Sequence, residues 1–360
     1  MKVVSLVGNR PQFVKAAAVS RRLRERHQEV LVHSGQHYDD ELSAIFFREL
    51  ALPPPDRELG VGSGTNADQV TRIMHAFEPV LEEQAPDLTL VYGDTNTTLA
   101  GALSCARHGF ALAHVEAGMR SFDWAMPEER NRVLADHVSD LCLCSSSVAV
   151  ENLDREGLGP RARLVGDVMA DVSAAMAPVA ERESDALERL GVAPGEYVLM
   201  TVHRAGNVDR EEPLRRLVEL LRRLPTQCVF PVHPRTRAAL ERLGALAELE
   251  ALAHLHLVPP LGYLDFTKLL MHGAAVLTDS GGVQKEAYLC RVPCLTLRDT
   301  TEWTETVELG WNRLVGLDPD RVLAALEHIE RPSHHPELYG GGRAGEAIVA
   351  ELERFAAAGA

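Results

Sequence analysis

Short β-branched runs alternate with helix-length amphipathic stretches along almost the whole chain, and this alternation leaves few folds open. Strand-like runs stand at VVSLVG (3–8), VLVHSG (30–35), LTLVYGD (88–94), ALAHVEAG (111–118), LCLCSS (141–146) and ARLVGD (162–167). A second series follows at YVLMTVHR (197–204), QCVFPVHP (227–234), LHLVPPL (255–261), AAVLTDSGG (274–282) and PCLTLRD (293–299). Patterns such as VKAAAVSRRLRER and EEPLRRLVELLRRL lie between them. Strands separated by amphipathic helices make βαβ units and parallel sheets. Two such series in 360 residues predict two Rossmann-like, doubly wound α/β domains. The seam is expected near 166–190, where SAAMAPVAERESDALERLG reads as a connecting helix.

The formal net charge of −15 argues against a nucleic-acid or membrane-surface binder, which would show a basic field. It does not exclude a small anion held by a local cluster of cations and helix N-termini. No stretch approaches the roughly 20 apolar residues of a membrane span. The opening MKVVSLVGNRPQF has an apolar run too short for a secretory leader. The six cysteines (105, 142, 144, 228, 290, 294) are scattered and read as reduced core residues of a cytoplasmic protein.

Polar residues gather where the strand-like runs end. The first series ends in Gly8-Asn9-Arg10, Gly93-Asp94-Thr95-Asn96 and His114-Val115-Glu116-Ala117-Gly118. The second ends in Thr201, His203 and Arg204, then His233, then Asp279-Ser280, then Arg298-Asp299. In open α/β sheets ligands bind outside the carboxyl ends of the strands, so an active site is expected in a cleft between the two domains.

Each motif has a plain and a functional reading. DSGGVQKE places Ser280, Gly281 and Gly282 at a helix start, either as a tight turn or as a phosphate cradle of free N–H groups. Glu286, one turn on, suits a ligand that also offers ribose hydroxyls, and together they point to a nucleoside diphosphate. GNRPQFVK puts Pro11 where a first helical turn tolerates it, with Arg10 and Lys15 as phosphate-suited cations or as a solvated helix start. Neither GxGxxG nor a Walker loop is present, so no dinucleotide redox cofactor is expected. Asp94 and Glu116 end strands, and Glu128 and Glu129 open a helix after Pro127. Carboxylates in a first helical turn are ordinary dipole partners, so one of that pair is expected to be structural. Three acidic residues at one sheet edge could supply both an acid and a base. His203 closes an apolar strand on the opposing domain, as either a structural or a catalytic histidine. No histidine and carboxylate group has zinc spacing, so no metal and no other cofactor is inferred.

GNRPQFVK, SGQHYDDELS, VYGDTNTTLAGALS, HVEAGMRSFDWAMPEERNRVLADHVSDL, GDVMADV, TVHRAGN, PVHPRTR, PLGYLDF, LTDSGGVQKEA and LRDTTEWTETVELGWNRLVG follow one another in an order resembling the UDP-N-acetylglucosamine 2-epimerase family, over roughly 1–345. The resemblance implies the two-domain GT-B fold: domains at 1–165 and 166–342, a helix at 343–360 packing back on the first, and UDP on the second. It implies that Asp94, Glu116, Glu128 and His203 are catalytic. It also implies that Arg10 and Lys15 contact substrate, that Ser280, Gly281 and Gly282 cradle pyrophosphate, that Glu286 binds ribose, that Phe266 lies at the uracil and that Arg298 lies near the site. The implied chemistry is non-hydrolysing inversion at C2 of the sugar, UDP-GlcNAc to UDP-ManNAc, through loss and re-addition of UDP. The implied setting is polysaccharide biosynthesis by a homodimer.

The chain departs from the commonest family pattern at NRPQ for TRPE, GQHYDD for GQHR, HRAGN for HRREN, QKE for QEE and TTEWTE for TTERPE. Some of these positions line a second, activating UDP-N-acetylglucosamine site in bacterial members. The PQF, HYDD and TEW versions resemble members acting on UDP-2,3-diacetamido-2,3-dideoxyglucuronate, which is the alternative substrate. A GT-B glycosyltransferase is a more distant one.

Overall fold

The computed structural model describes residues 1–36 and 52–359. The HYDD stretch (37–40) and the side chain of Arg10 lie outside the described parts. Two compact units make up the chain: Met1–Ala175 with Glu337–Ala360, and Met176–Pro336. The division falls inside the helix Val168–Glu183.

The first unit is built on β1 (Lys2–Val7), β2 (Gln28–His33), β3 (Arg57–Glu58), β4 (Leu88–Tyr92), β5 (Leu112–Ala117), β6 (Leu141–Cys144) and β7 (Ala162–Leu164). They form one sheet in the order β3-β2-β1-β4-β5-β6-β7, and every pair is parallel. Its central strands are buried on both faces, which is why they read as continuous apolar runs rather than alternating ones. One face carries α1 (Arg10–Arg24) and α16 (Ala344–Gly359), whose Phe13, Val19, Leu23, Ile348 and Leu352 close over Val3, Leu31 and Leu90. The other face buries Phe77 and Leu81 of α2 (Asn66–Gln84) and Cys105 of α3 (Asn96–His108).

The second unit holds β8 (Tyr197–Thr201), β9 (Gln227–Pro231), β10 (Leu255–Val258), β11 (Ala275–Thr278), β12 (Cys294–Thr296) and β13 (Asn312–Leu314). Their order is β10-β9-β8-β11-β12-β13, again all parallel. The helix α9 (Glu211–Arg223) shows how sequence sets the layers: Leu214, Leu217, Val218, Leu220 and Leu221 are buried while its arginines and glutamates face water. Each such aliphatic side chain stabilises the unit by about 1.5–3 kcal/mol.

Two strands escape the sequence pattern. Arg57–Glu58 is an exposed polar pair on the sheet edge, and Asn312–Leu314 is a three-residue edge strand with a polar start. Neither is long or apolar enough to leave a periodic signal.

The described cysteines are all free, and all but Cys290 are buried. Burial pushes the Cys105, Cys144 and Cys294 thiols up to about 12, so they are inert core residues.

Candidate functional site

In both sheets the strand order reverses between two neighbours, β1 and β4 in the first and β8 and β11 in the second. In open α/β sheets the turns leaving the strands diverge at such a point, and ligands bind there at the carboxyl edge. The residues singled out from sequence leave these strands: Gly8-Asn9-Arg10 and Gly93-Asp94 in one unit, His203-Arg204 and Asp279-Ser280 in the other.

In the first unit, Gln12 stitches the reversal point together. It is 1% exposed; its Oε1 accepts from Gly8 N–H at 2.8 Å and its Nε2 donates to the Tyr92 carbonyl at 2.7 Å. A glutamate there would set a carboxylate oxygen against that carbonyl, so this departure from the family pattern is built into the packing.

Lys15, one turn further along α1, pairs with Glu116, and both side chains are largely buried. Glu116 sits where the pairing of β5 with β6 slips between Val115 and Ala117, and its backbone is left-handed at φ 70°. A bulge of this kind re-aims one side chain at a sheet edge, and left-handed backbone at a non-glycine residue is strain held by its surroundings. Gly93 fits the same corner. Its φ is 63°, and a Cβ there would lie 2.9 Å from Lys15 Nζ and 3.4 Å from Glu116 Oε2.

Asp94 reaches the helix α4 (Pro127–Val138), where its carboxylate pairs with Arg132. Its carbonyl accepts from Asn131 Nδ2 at 3.0 Å. Of the two acids that open α4, Glu129 is the structural one. It is 1% exposed and accepts from Ser121 N, Ser121 Oγ and Phe122 N at 2.9 Å each, and from Arg132 at 3.0 Å. Glu128 is half-buried, with no hydrogen-bond or ion-pair partner among the described residues. Two of the carboxylates at this edge thus have a cationic partner: Glu116 has Lys15 and Asp94 has Arg132.

Beneath these turns lies a buried network that sequence reasoning did not find. His114 and Asp136 are fully buried and 2.7 Å apart, and Asp136 also binds Arg120 at 2.7 Å. Burial opposes the charge of Asp136, but the His114 and Arg120 partners outweigh it and hold the carboxyl below the usual carboxylate range. Arg120 continues as a fork onto Glu156, two bonds of 2.7 Å. The members are far apart in sequence and on different elements, so no local spacing marks them.

In the second unit the helix α13 (Gly281–Leu289) starts from Ser280, whose N–H donates to Thr278 Oγ1 at 2.9 Å. A Cβ at Gly282 would meet only Ser280 Oγ, at 3.9 Å, so packing within the unit does not require glycine there. The missing side chain leaves the helix start bare. Asp279, fully buried, accepts from His203 N at 3.1 Å, Arg204 N at 2.9 Å and Asn207 Nδ2 at 3.0 Å. It plays in this unit the stitching part that Gln12 plays in the other. His203 Nδ1 lies 3.6 Å from the same carboxylate, and the ring is 40% exposed. The His233 ring stands 5.5 Å from it.

Arg298 is engaged by both oxygens of Glu302, at 2.9 and 3.0 Å, and Glu302 Oε2 lies 3.4 Å from the Cβ position of Gly281. Arg298 therefore stands beside the bare helix start with its fork already paired. Lys285, 1% exposed, lies 4.2 Å over the Trp303 ring, so two more departures from the family pattern pack against each other. Glu286 is half-buried in the second turn of α13. Phe266 is 8% exposed in α12 (Tyr263–His272), in the apolar cluster of Leu199, Leu269 and Val276. No group of three or more histidine, cysteine or acidic side chains suited to a metal occurs among the described residues.

Two doubly wound parallel units, each with polar residues at its reversal point, are the architecture of the GT-B class. The chain belongs to the UDP-N-acetylglucosamine 2-epimerase family, whose model matches residues 21–353. It is 43% identical to a UDP-N-acetylglucosamine 2-epimerase homolog of Methanococcus maripaludis, over 99% of this chain and 100% of that one. It is 41% identical to the UDP-2,3-diacetamido-2,3-dideoxy-D-glucuronate 2-epimerase of Pseudomonas aeruginosa, with the same coverage. The crystal structure of the Methanocaldococcus jannaschii UDP-GlcNAc 2-epimerase in complex with UDP-GlcNAc and UDP superposes with a TM-score of 0.92. It is 38% identical, and the match covers 98% of this chain and 100% of that one.

Proposed function

We infer that the chain is a non-hydrolysing UDP-sugar 2-epimerase that interconverts UDP-GlcNAc and UDP-ManNAc. The observation that carries this reading is the meeting of Lys15, Gly93 and a strained Glu116 at the first reversal point, with Asp94 on the adjoining turn. The C2 proton of the sugar is weakly acidic, because no carbonyl activates it. Loss of UDP from C1 must accompany its removal, giving a glycal to which UDP returns while a proton arrives from the opposite face. Two faces need two proton-handling groups, or one with a water, and Asp94, Glu116 and Glu128 supply the candidates. Carboxylates also stabilise positive charge that develops near C1. Arg10 and Lys15 neutralise the departing phosphate. Gly281 and Gly282 offer N–H groups and Ser280 its hydroxyl to the pyrophosphate, with Arg298 beside them. Glu286 takes the ribose hydroxyls, Phe266 backs the uracil, and His203 serves the reaction from the second unit. A cytoplasmic homodimer in polysaccharide biosynthesis completes the reading, on family membership alone.

UDP-2,3-diacetamido-2,3-dideoxyglucuronate is the second substrate reading. The buried Gln12 and the Lys285–Trp303 contact favour it, because they occupy positions where the chain leaves the commonest family pattern. Proton NMR with UDP-GlcNAc in D2O distinguishes the two. UDP-ManNAc carrying deuterium at C2 supports the first reading. Free UDP with free ManNAc would mean hydrolysis instead. An unchanged spectrum, followed by turnover of the diacetamido uronate, would establish the second.

A further inference from the structure

Asp94 and Glu116 stand on different turns, after β4 and at the end of β5. Both turns end on the same buried pair. His114 Nε2 lies 2.6 Å from the carbonyl oxygen of Gly93, the residue before Asp94. His114 Nδ1 lies 2.7 Å from Asp136 Oδ1. The other oxygen of Asp136 accepts from Gly118 N–H at 3.1 Å, two residues past Glu116, and from Arg120 at 2.7 Å.

Donor and acceptor roles follow from these partners. A carbonyl only accepts, so Nε2 carries a hydrogen. Asp136 receives two further donors at Oδ2, one of them a guanidinium, which favours the carboxylate. Nδ1 then donates as well, and a ring donating from both nitrogens is an imidazolium. We propose that His114 and Asp136 are positioning residues, a buried imidazolium–carboxylate pair that fixes the Asp94 turn against the Glu116 turn. Taking such a pair out of water is costly, and three well-placed partners, the Gly93 carbonyl, the Gly118 N–H and Arg120, are what make it tenable. The pair fixes a geometry: with the Gly93 carbonyl held on one side and the Gly118 amide on the other, the two carboxylates keep one spacing. Neither His114 nor Asp136 touches the reacting atoms.

The inference rests on the epimerase reading, so wild-type exchange of the C2 proton is measured first. Its absence with either UDP-sugar would count against that reading alone. With wild type active, His114→Gln and Asp136→Asn should lower kcat for exchange by about 100-fold while KM and the affinity for UDP stay within about twofold. Unchanged kcat in folded variants overturns the proposal. So does a loss of kcat matched by an equal loss of UDP affinity, which is what general destabilisation would give. If neither variant folds, 15N NMR of the wild-type histidines decides. His114 is the one histidine among the described residues that is fully buried, so its N–H protons exchange slowest. Two protected N–H signals on one ring support the pair; a single protected N–H overturns it.

Discussion

Gly93 and Glu116 flank Lys15, and both have left-handed backbones, which only glycine adopts without strain. Gly93→Ala is expected to cost about 1–3 kcal/mol and to break the Lys15–Glu116 pair, because the new methyl would meet Lys15 Nζ. Chemical unfolding and C2 exchange together check this; a variant with wild-type exchange would show that the corner tolerates displacement. Asp136 makes a separate, pH-dependent prediction. Its carboxyl releases its proton more readily in the native state than in the unfolded chain, where the value is about 3.9. It therefore contributes stability above that value, and the contribution fades as pH falls through the lower native one. Urea midpoints from about pH 6 downward should fall more steeply in wild type than in Asp136→Asn. Identical slopes would contradict the role assigned to its partners. Candidate residues at this scale were legible where they end a strand: Asp94, Glu116, His203 and Ser280 all stand at strand ends. Arg132 and Asp136 were not, since an arginine or aspartate within a helix ordinarily faces water, and His114 was read as part of a strand end without its pairing to Asp136.

At the scale of elements, α4 divides its acids by role. Glu129, Arg132 and Asp136 recur at helical spacing and are buried, whereas Glu128, also spaced by four from Arg132, is only half-buried. Glu129→Gln should lower stability by about 1–3 kcal/mol, because it weakens the grip on Ser121 and Phe122 and removes a counter-charge from a buried arginine. Glu128→Gln should leave the melting temperature in place and reduce exchange. Thermal melts and NMR exchange on the two variants test the division, and the opposite pattern would reverse the assignment. Spacing alone predicted that one of this pair is structural without choosing, because Pro127 places both in the first turn, where either suits the dipole; only the family resemblance pointed to Glu128 as the catalytic one. The choice depends on the 121–122 loop folding back over Glu129, a contact that spacing does not encode. The strands, by contrast, were legible wherever burial on both faces made them continuously apolar. Only the short polar edges, Arg57–Glu58 and Asn312–Leu314, were lost.

For the whole molecule, α16 is the element that decides how the first unit is assembled. Its first turn is held by Asp171, which accepts from Ala344 N and Gly345 N at 2.8 Å each. Gly345 allows α16 to lie directly on α1, since a Cβ there would stand 2.6 Å from the Ala18 carbonyl oxygen. Gly345→Ala should cost about 1–3 kcal/mol by forcing the two helices apart, with the loss confined to the first unit. Hydrogen exchange along the chain checks this, and loss of protection in the second unit as well would mean that the two melt together.

The same helix has a consequence during synthesis on the ribosome. Residues 176–336 are continuous, whereas the first unit is finished only by residues 344–359, which emerge after them. The proposed UDP-binding half can therefore close while the chain is still attached. The half bearing the carboxylates leaves the apolar side of α1 uncovered until residues 344–359 have followed, and it is in this interval that a nascent chain would need chaperone protection.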